Sequence, residues 1–433
     1  MAGDWEETTL GAEVDLLTGF PFKSERYTDS ARSIPLVRSD NIVQGAMRWN
    51  GVKRFPLSER GEHELYELRE GDVVLAMDRP WTEAGLKYAA ISKHDLPWLF
   101  VQRTARLRGG TKLNSRDLRY LVGSREFTEH IHAITTGTAV PHISGKQITD
   151  FAFALPPLAE QKAVAAVLGA LDDKIELNRR INATLEAMAR ALFQSWFVDF
   201  DPVRAKLDSR PPAGLDQATA ALFPDHLEDS PLGPIPKGCE VGPILRQADL
   251  LSGGTPKTDE PAYWIGDVPW ASANDVSQCG EAFLISTKRT ITKQGVEESS
   301  TKIIPELATV VVARGATTGR LTLFGHAMAM NQTYYGLRSK VGAPFALYCH
   351  ARHFIERLVQ GGHGSIFDTI TTSTFESTDV LLAPKEVLLA FDKQVTPLLH
   401  QVRANLDQSR TLATLRDTLL PKLLSGELRP SQN

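Results

Sequence analysis

The feature that most constrains this chain of 433 residues is that its sequence repeats once, with a period of about half its length. Short segments recur in the same order, and matched residues stay about 230 positions apart, so chance does not explain them. The matched segments are 34–42 with 268–276, 70–79 with 306–315, 102–104 with 332–334, 151–156 with 379–384, and 184–185 with 414–415. A period this long excludes a solenoid and predicts a duplicated pair of similar domains.

Each half follows the same plan. About 150 residues of short β-rich runs, broken by Gly, Pro, Ser, Thr and Asn, come first. Within them, 72–77 and 308–313 are predicted buried strands because they are rich in β-branched residues. A proline-rich boundary follows in each half, at 155–157 and 383–385. A long helix comes next, predicted over 158–197 in the first half and 387–424 in the second.

Both predicted helices carry an apolar seam with a spacing of 3.5 residues, which is typical of a coiled coil. Two asparagines lie in the first seam, where buried polar groups fix register and partner at a cost in stability. In the second helix the seam breaks between Leu406 and Leu412, and Pro397 is expected to kink or cap the helix. The predicted seam residues are Leu168, Leu171, Ile175, Asn178, Asn182, Leu185, Leu192, Val402, Leu406, Leu412, Leu415 and Leu419. A plain amphipathic helix on a globular core is the alternative.

The sequence therefore predicts an α+β fold with a pseudo-twofold internal repeat. Two similar β-rich domains are separated by two long helices that pack as an antiparallel coiled coil about 60 Å long. The predicted boundaries are 1–156 for the first domain, 157–200 for the first helix, 201–238 for a linker rich in Pro and Gly, 239–385 for the second domain, and 386–433 for the second helix and tail.

Composition excludes several classes of protein. No apolar run approaches the ~18 residues of a membrane span, and the first residues lack the pattern of a secretory signal. The three cysteines are widely spaced, so we expect a cytoplasmic protein without disulfides. The net charge of −4 argues against nucleic acid, but 103–125 carries seven Lys or Arg against Asp117 alone. This run indicates either one positive face or an ordinary solvated surface.

Catalytic motifs are absent from the sequence. It contains no phosphate-binding loop, no dinucleotide fingerprint, no methyltransferase tetrapeptide, no nuclease carboxylate cluster and no zinc motif. Cys349, His350 and His353 suit a packed helix better than a metal site, because no fourth ligand is spaced nearby. We therefore predict a binding role, with no metal and no cofactor held by this chain.

Five segments make the chain resemble a known family. They are 148–161 (ITDFAFALPPLAEQ), 192–206 (LFQSWFVDFDPVRAK), 232–238 (LGPIPKG), 253–257 (GGTPK) and 423–428 (LLSGEL). Together they are similar to the specificity subunits of type I restriction-modification systems, and the resemblance covers essentially the whole chain. Cys239 departs from the Trp that the family often has there, and 383–387 (APKEV) replaces the usual helix entry. In this family each long helix offers a docking surface to a methyltransferase subunit. The second departure affects only the expected similarity of those two surfaces.

The resemblance implies a DNA-recognition subunit that is not itself an enzyme. Such a subunit reads a split, asymmetric sequence in double-stranded DNA, with one target-recognition domain for each half-site. It docks two methyltransferase subunits on its helices, and two ATP-driven restriction subunits complete the nuclease. S-adenosylmethionine, ATP and Mg²⁺ are expected in those partners, and no membrane is involved. The helical spacer would fix the half-site separation, and ~60 Å is enough to span the ~34–36 Å between half-sites one turn apart.

Candidate DNA contacts are polar side chains in the loops, because only those offer suitable donors and acceptors to base edges. In the first domain they are Ser39, Asp40, Asn41, Arg79, Trp81, Thr82, Gln102, Thr136, Thr138 and His142. In the second domain they are Ser272, Asn274, Asp275, Arg314, Thr317, Thr318, Asn331, Gln332, Ser365 and Thr369. Arg38, Arg103, Arg106, Lys288 and Arg289 are predicted to contact phosphates. For each residue an ordinary turn or cap is the alternative, and for Trp81 it is packing over the edge of the core.

Three other functions stay open. A methyltransferase or nuclease with its own recognition domains would need the missing catalytic motifs. A protein-binding adaptor would bind a methyltransferase subunit without changing DNA methylation. An inactive recognition subunit would form the complex but would no longer read DNA.

Overall fold

The computed structural model describes residues 5–48, 51–82, 85–135, 141–315, 317–361 and 369–430. The chain forms two compact units. The first unit is Met1–Ile175 with Thr411–Asn433, and the second is Glu176–Arg410. Each unit thus contains one β-rich half and part of both long helices. No helix within the described ranges is long and apolar enough to cross a membrane.

The first half contains thirteen strands and four short helices within the described residues. The strands are β1 (Glu6–Thr9), β2 (Val14–Thr18), β3 (Ser33–Val37), β4 (Ile42–Val43), β5 (Ala46–Met47), β6 (Lys53–Pro56), β7 (Val73–Ala76), β8 (Trp81–Thr82), β9 (Gly85–Leu86), β10 (Tyr88–Ala90), β11 (Leu99–Phe100), β12 (Thr104–Gly109) and β13 (Ala152–Leu155). The helices are α1 (Leu10–Glu13), α2 (Ser115–Val122), α3 (Arg125–Ile134) and α4 (Gly145–Thr149).

Two sheets form the centre of the first domain. One has the order β10-β7-β12-β2, and the other has the order β11-β3-β6, in which β3 and β11 run parallel. The predicted buried strand is confirmed as β7. Its side chains alternate between two clusters, Val73 and Leu75 in one and Val74 and Ala76 in the other. Both faces of β7 are therefore covered, which is why the strand is apolar throughout.

The second half contains matching strands. They are β16 (Glu240–Pro243), β17 (Ala248–Ser252), β18 (Trp264–Ala271), β19 (Phe283–Leu284), β20 (Arg289–Ile291), β21 (Ile303–Ile304), β22 (Thr309–Val312), β23 (Leu321–Phe324), β24 (Met328–Met330), β25 (Tyr334–Ser339) and β26 (Asp379–Leu382). The helices of this half are α8 (Ala273–Gln278), α9 (Lys293–Glu297), α10 (Pro344–Gly361) and α11 (Thr372–Ser377).

The topology of the second domain matches that of the first. Its sheets have the orders β17-β25-β22-β23-β19 and β20-β18-β24-β21, and β18 and β24 are parallel as β3 and β11 are. The strand that closes each domain pairs with the one that opens it, β13 with β1 and β26 with β16. The internal duplication predicted from the sequence is thus confirmed for the strands that both domains share, while β19 and β21 extend the two sheets of the second domain only.

One glycine in each domain shows how closely the duplication is kept. A Cβ on Gly19 would lie 2.1 Å from the carbonyl oxygen of Val101, and one on Gly253 would lie 2.2 Å from that of Met330. No side chain fits at either position, because the neighbouring strand end passes too close. The two glycines are 234 positions apart, which is the offset of the strands that follow them.

The long helices are α5 (Leu158–Phe197) and α12 (Lys385–Leu424). The bounds of α5 match the prediction, and α12 begins two residues before the predicted Val387. In the first unit Val164 and Leu168 of α5 pack against Leu423, near the end of α12. In the second unit Phe193 and Trp196 of α5 join a core with residues from the start of α12. The two helices are therefore antiparallel, as predicted.

The seam of α12 differs from the prediction at its centre. Leu415 is 45% exposed, so its assignment to the seam is wrong. Buried and half-buried residues instead continue at steps of three and four without a break; they are Val402, Leu406, Ser409, Ala413, Arg416, Leu420 and Leu423. Pro397 lies inside the continuous helix. Of the other predicted positions, Leu168, Asn178, Asn182 and Val402 are buried, and Leu171, Ile175, Leu185, Leu192, Leu412 and Leu419 are half-buried.

The linker between α5 and the second domain is more ordered than its composition suggests. It contains α6 (Asp201–Leu207), α7 (Gln217–Ala221), and a hairpin of β14 (Leu227–Glu228) with β15 (Ile235–Pro236). Val203, Phe223 and Ile235 are buried in the core of the second unit. The predicted linker at 201–238 therefore has secondary structure of its own and contributes to the core of the second unit.

Candidate nucleic-acid interface

A cleft of about 880 Å³ opens in the first domain, and six of the predicted contact residues line it. Three turns meet there. One follows β3, one follows β7, and one joins β11 to β12. The predicted residues in the cleft are Arg38, Ser39, Asp40, Arg79, Gln102 and Arg103. The structure thus brings together residues that lie up to 65 positions apart in the sequence.

Hydrogen bonds hold these turns together. The hydroxyl of Ser39 donates to the carbonyl oxygen of Arg103 at 3.0 Å. The same carbonyl accepts the backbone N–H of Met77 at 2.9 Å. The turn after β3 and the end of β7 are thereby fixed to one point on the third turn. Since β3 and β11 are parallel, their carboxyl ends meet at this edge of the sheet.

The cleft is positively charged although the whole chain is not. Five cationic side chains line it, against the carboxylates of Asp40 and Asp78. The five are Arg38, Lys53, Arg79, Lys87 and Arg103. Burial lowers the pKa of Lys87, because desolvation disfavours the ammonium form. An anion bound in the cleft would oppose that effect, and DNA phosphates are anions of this kind.

Two arginines of the cleft have an unusual backbone. Arg79 has a φ of 47° and Arg103 a φ of 68°, in the left-handed region that residues other than glycine rarely adopt. Residues held in this way are concentrated at functional sites. Beside them, Asp78 accepts a hydrogen bond from His142 Nδ1 and forms an ion pair with Arg103, whose guanidinium lies 3.1 Å from Asp78 Oδ2.

Two predicted contacts of the first domain are structural instead. Asn41 is 2% exposed, and its Oδ1 accepts the backbone N–H of Arg38 at 3.1 Å, so it caps the turn after β3. Arg106 is also 2% exposed and pairs across the sheet with Asp15. Neither side chain is accessible to DNA, which contradicts the predicted base contact of Asn41 and the predicted phosphate contact of Arg106.

The run of basic residues between 103 and 125 does not form one positive face. Its members pair with different acidic residues in different parts of the first unit. The pairs are Arg106 with Asp15, Arg108 with Asp72, Lys112 with Glu6, Arg119 with Asp172, and Arg125 with Glu129. Within this run only Arg103 lines the cleft.

The remaining predicted residues of the first domain have mixed outcomes. Trp81 packs against the core and lies 4.1 Å from the ring of His132, which favours the packing alternative. His142 lies beside the cleft through its contact with Asp78. The side chain of Thr82, and Thr136 and Thr138 as a whole, lie outside the described residues.

In the second domain the turn after β18 repeats the geometry of the turn after β3. Asp275 accepts the backbone N–H of Ser272 at 2.8 Å and also its hydroxyl, so it is the counterpart of Asn41. Asn274, between them, is exposed. Asn274 is therefore the member of this group that is free to meet a base edge.

The turn after β22 carries a second group. Arg314 is exposed and pairs through its backbone with Thr369, which is also exposed. The hydroxyl of Thr317 hydrogen-bonds with that of Ser277 at 2.6 Å, and the hydroxyl of Thr318 donates to the carbonyl oxygen of Gly315 at 2.7 Å. Ser365 lies outside the described residues.

The third group follows β24. Asn331 is 8% exposed and accepts the backbone N–H of Thr333 at 3.0 Å, which makes it a turn residue rather than a base contact. Gln332 is exposed and accepts a hydrogen bond from the hydroxyl of Thr255. The structure therefore favours Gln332 over its neighbour as a contact residue.

Lys288 and Arg289 lie exposed at the start of β20. The guanidinium of Arg289 lies 3.5 Å from the ring centre of Trp264 and 5.4 Å from that of Trp270. Such cation–π contacts hold the cation in place while leaving its N–H donors free. A phosphate contact by Arg289 is compatible with this geometry.

Sequence reasoning missed three charged residues of the cleft, which are Lys53, Asp78 and Lys87. Asp78 was overlooked between the strand and Arg79, although a carboxylate beside an arginine in a strand-end turn is a usable signal. Lys53 reaches the cleft because β6 pairs with β3, with Lys53 opposite Leu36. Lys87 reaches the cleft because its carbonyl oxygen accepts a hydrogen bond from the backbone N–H of Ala76, at the end of β7. These cross-strand pairings leave no local trace in the sequence.

The histidines of α10 are packed in the second unit. His350 lies 4.8 Å from the rings of both Phe193 and Phe197, and burial lowers its pKa to about 3. No group of His, Cys, Asp and Glu within the described ranges could hold a metal ion.

Comparison with known proteins decides the family. The model of the type I restriction modification DNA specificity domain matches residues 3–187 and again 240–413. The chain belongs to this family. The double match also agrees with the internal duplication, and membership assigns the chain to the specificity component of a type I system rather than to a catalytic one.

Two curated relatives and one solved structure agree with this assignment. The specificity subunit of type I restriction enzyme HindI from Haemophilus influenzae is 28% identical over 71% of this chain and 76% of its own length. That of MjaIX from Methanocaldococcus jannaschii is 24% identical over 90% of this chain and 82% of its own. The crystal structure of the S subunit from M. genitalium has a TM-score of 0.53 at 14% identity, covering 99% of this chain and 97% of that one. The structural likeness shows the α+β fold with its repeated domains.

Proposed function

We propose that this specificity subunit reads a split, asymmetric sequence in double-stranded DNA, with one half-site for each β-rich domain. The positively charged cleft of the first domain carries the proposal. It gathers exposed Arg and Gln side chains on rigid turns, and these residue types match the donors and acceptors of base edges. Its cations attract the backbone phosphates.

The two half-sites should differ in sequence, because the two domains share a scaffold but not its side chains. Arg38 and Asp40, after β3, correspond to Ser272 and Asn274, after β18. Arg103 corresponds to Thr333. At these matched positions the first domain offers guanidinium and carboxylate groups where the second offers hydroxyl and amide groups, and these prefer different base edges. An asymmetric target follows.

The two long helices have a second role in this proposal: they set the separation of the half-sites and dock two methyltransferase subunits. A polar cluster in the second unit supports a fixed register. The amide of Asn178 donates to Gln408 Oε1 at 2.9 Å and to Ser409 Oγ at 3.1 Å, and Asn405 donates to Asn182 Oδ1 at 2.8 Å. Sliding one helix along the other would leave these buried groups unpaired, which disfavours other registers.

The catalytic groups belong to the partners in this proposal. Two methyltransferase subunits supply S-adenosylmethionine, and two restriction subunits supply ATP and Mg²⁺ chemistry. The chain carries a net charge of −4, so it relies on those partners to neutralise most phosphates. The chain alone should bind DNA weakly at physiological salt.

The test is selection from a random pool of DNA duplexes by the purified complex with its methyltransferase subunit, with the chain alone in parallel. We expect the complex to enrich a split motif with a fixed unspecified gap and the chain alone to enrich little. A complex that is stable but enriches no motif would favour the adaptor or the inactive subunit. Tight sequence-specific binding by the chain alone would contradict the division of labour.

A further inference from the structure

Arg103 is held more firmly than a phosphate contact requires. Its guanidinium lies 3.1 Å from Asp78 Oδ2, and its carbonyl oxygen accepts hydrogen bonds from Ser39 and from the backbone of Met77. Its side chain is nevertheless 69% exposed towards the cleft, whereas that of Asp78 is 18% exposed. Hydrogen bonds therefore fix the backbone of this arginine, and the Asp78 carboxylate gives its guanidinium one anionic partner while the exposed N–H donors face the cleft.

Both carboxylate oxygens of Asp78 are occupied. Oδ2 pairs with Arg103, and Oδ1 accepts a hydrogen bond from His142 Nδ1. Each oxygen of this carboxylate thus already has a partner within the protein. Through its ion pair, Asp78 orients the N–H donors of the Arg103 guanidinium, so Asp78 is a positioning residue.

The second domain has the same backbone scaffold at this place. The N–H of Met77 donates to the carbonyl of Arg103 at 2.9 Å, and the N–H of Ala313 donates to that of Thr333 at 3.0 Å. The carbonyl of Met77 accepts from Ile143 at 2.9 Å, as that of Ala313 does from Ile370 at 2.8 Å. The side chains on the scaffold differ. The matched pairs are Asp78 with Arg314, Arg79 with Gly315, Arg103 with Thr333, and His142 with Thr369.

We infer that Arg103, oriented by Asp78, reads a guanine in the half-site of the first domain. A fixed guanidinium presents two parallel N–H donors, which match the O6 and N7 acceptors of guanine in the major groove. A phosphate contact needs only a nearby charge and tolerates a mobile one. The matched position of the second domain carries Thr333, whose hydroxyl donates to Asn331, so that domain lacks this reader. The inference rests on the proposed function and reassigns Arg103 from phosphate contact to base contact.

The experiment maps methylated adenines by single-molecule sequencing after co-expression of the chain with its methyltransferase subunit. The variants are Arg103→Lys, Arg103→Gln and Asp78→Asn. The matched control is Arg125→Gln, an exposed arginine outside the cleft that pairs only with Glu129 on its own helix among the contacts described. Arg103→Lys keeps the charge but removes the planar fork, so it separates base reading from phosphate attraction.

The wild type should methylate a split motif that contains a guanine in one half. Both Arg103 variants should relax that guanine by about tenfold or more while the other half of the motif is kept. Asp78→Asn should relax the same position less, because Arg103 remains but is free to move. In each case the unchanged half of the motif shows that the variant is folded and assembled. The control variant Arg125→Gln should change neither half of the motif.

The inference is overturned if Arg103→Lys leaves the motif intact and Arg103→Gln only lowers methylation evenly at all sites. Arg103 would then be a phosphate contact, and the proposed function would stand. A wild-type motif without guanine in the half affected by these variants would overturn it as well. If the wild type gives no split motif, the proposed function itself fails, and with it the inference.

Discussion

Replacing one buried carboxylate should change how the first unit responds to pH. Asp117 lies in the first turn of α2 and is 4% exposed, and no described group hydrogen-bonds to its Oδ1. Burial raises the pKa of Asp117 from the ordinary 3.8 to about 7, because desolvation disfavours the ionised form. An asparagine has nearly the same shape and does not ionise. We therefore expect Asp117→Asn to stabilise the first unit at neutral and alkaline pH.

The sign and the size follow from proton linkage. Between pH 4 and pH 7 the folded chain holds a proton on Asp117 that the unfolded chain has released, so stability falls as pH rises through this window and is level above it. The difference between 3.8 and about 7 corresponds to about 4 kcal/mol. The N-terminal end of α2 favours the ionised carboxylate by about 0.3–1 kcal/mol. The expected gain for Asp117→Asn is therefore about 3 kcal/mol at pH 8 and close to zero at pH 4.

The assay is hydrogen exchange by mass spectrometry along a urea series at pH 4.5, 6 and 8, which reports the unfolding of each unit separately. The matched control is Asp173→Asn, an exposed aspartate on α5. Peptides of the first unit should show a gain that grows with pH in Asp117→Asn and not in the control. A gain that is the same at all three pH values, or a loss at pH 8, would refute the assignment of a raised pKa to Asp117.

Three further outcomes are expected. Gly19→Ala should destabilise the first domain by about 3 kcal/mol or more, because the new Cβ would lie 2.1 Å from the carbonyl oxygen of Val101. Hydrogen exchange should show this loss of stability in the first domain and not in the second. Asn405→Ala should cost the second unit about 1–3 kcal/mol in urea unfolding, because it removes the donor to the buried Asn182. Arg289→Gln should weaken DNA binding by the complex equally for all sequences and reduce its salt dependence by about one phosphate contact; a changed motif would contradict this role.

The fold was largely predictable because its signals are local or repeated. The prolines at 156 and 157 and the periodic apolar residues after them set the bounds of α5. The β-branched runs identified β7 and β22. The sequence predicts the seam of α12 less well, because the apolar side chain of Leu415 fits the seam pattern although Arg416 occupies the seam. Arg416 lies there because it pairs with Asp172 of α5, and a pairing across two helices has no local signal.

The site was predictable only in part. Strand-end turns identified six residues of the cleft, because polar side chains after buried strands mark an exposed edge. Arg103 and Arg106 are three positions apart and look equivalent in the sequence, but only Arg106 lies within β12 and is buried. Lys53 lies on β6 and Lys87 lies between β9 and β10, and the sequence does not predict which strands these elements pair with. Asn41 and Asp275 looked like contact residues because caps and base readers use the same side chains.

The central claim is that the two domains read two different half-sites of one DNA sequence. Its most direct test is co-expression of the chain with its methyltransferase subunit, followed by sequencing of methylated adenines in the host DNA. We expect one new split motif with a fixed gap and two unlike halves, and substitutions in the cleft of the first domain should alter one half only. Methylation at an unsplit sequence, or no new methylation despite a stable complex, would contradict the claim.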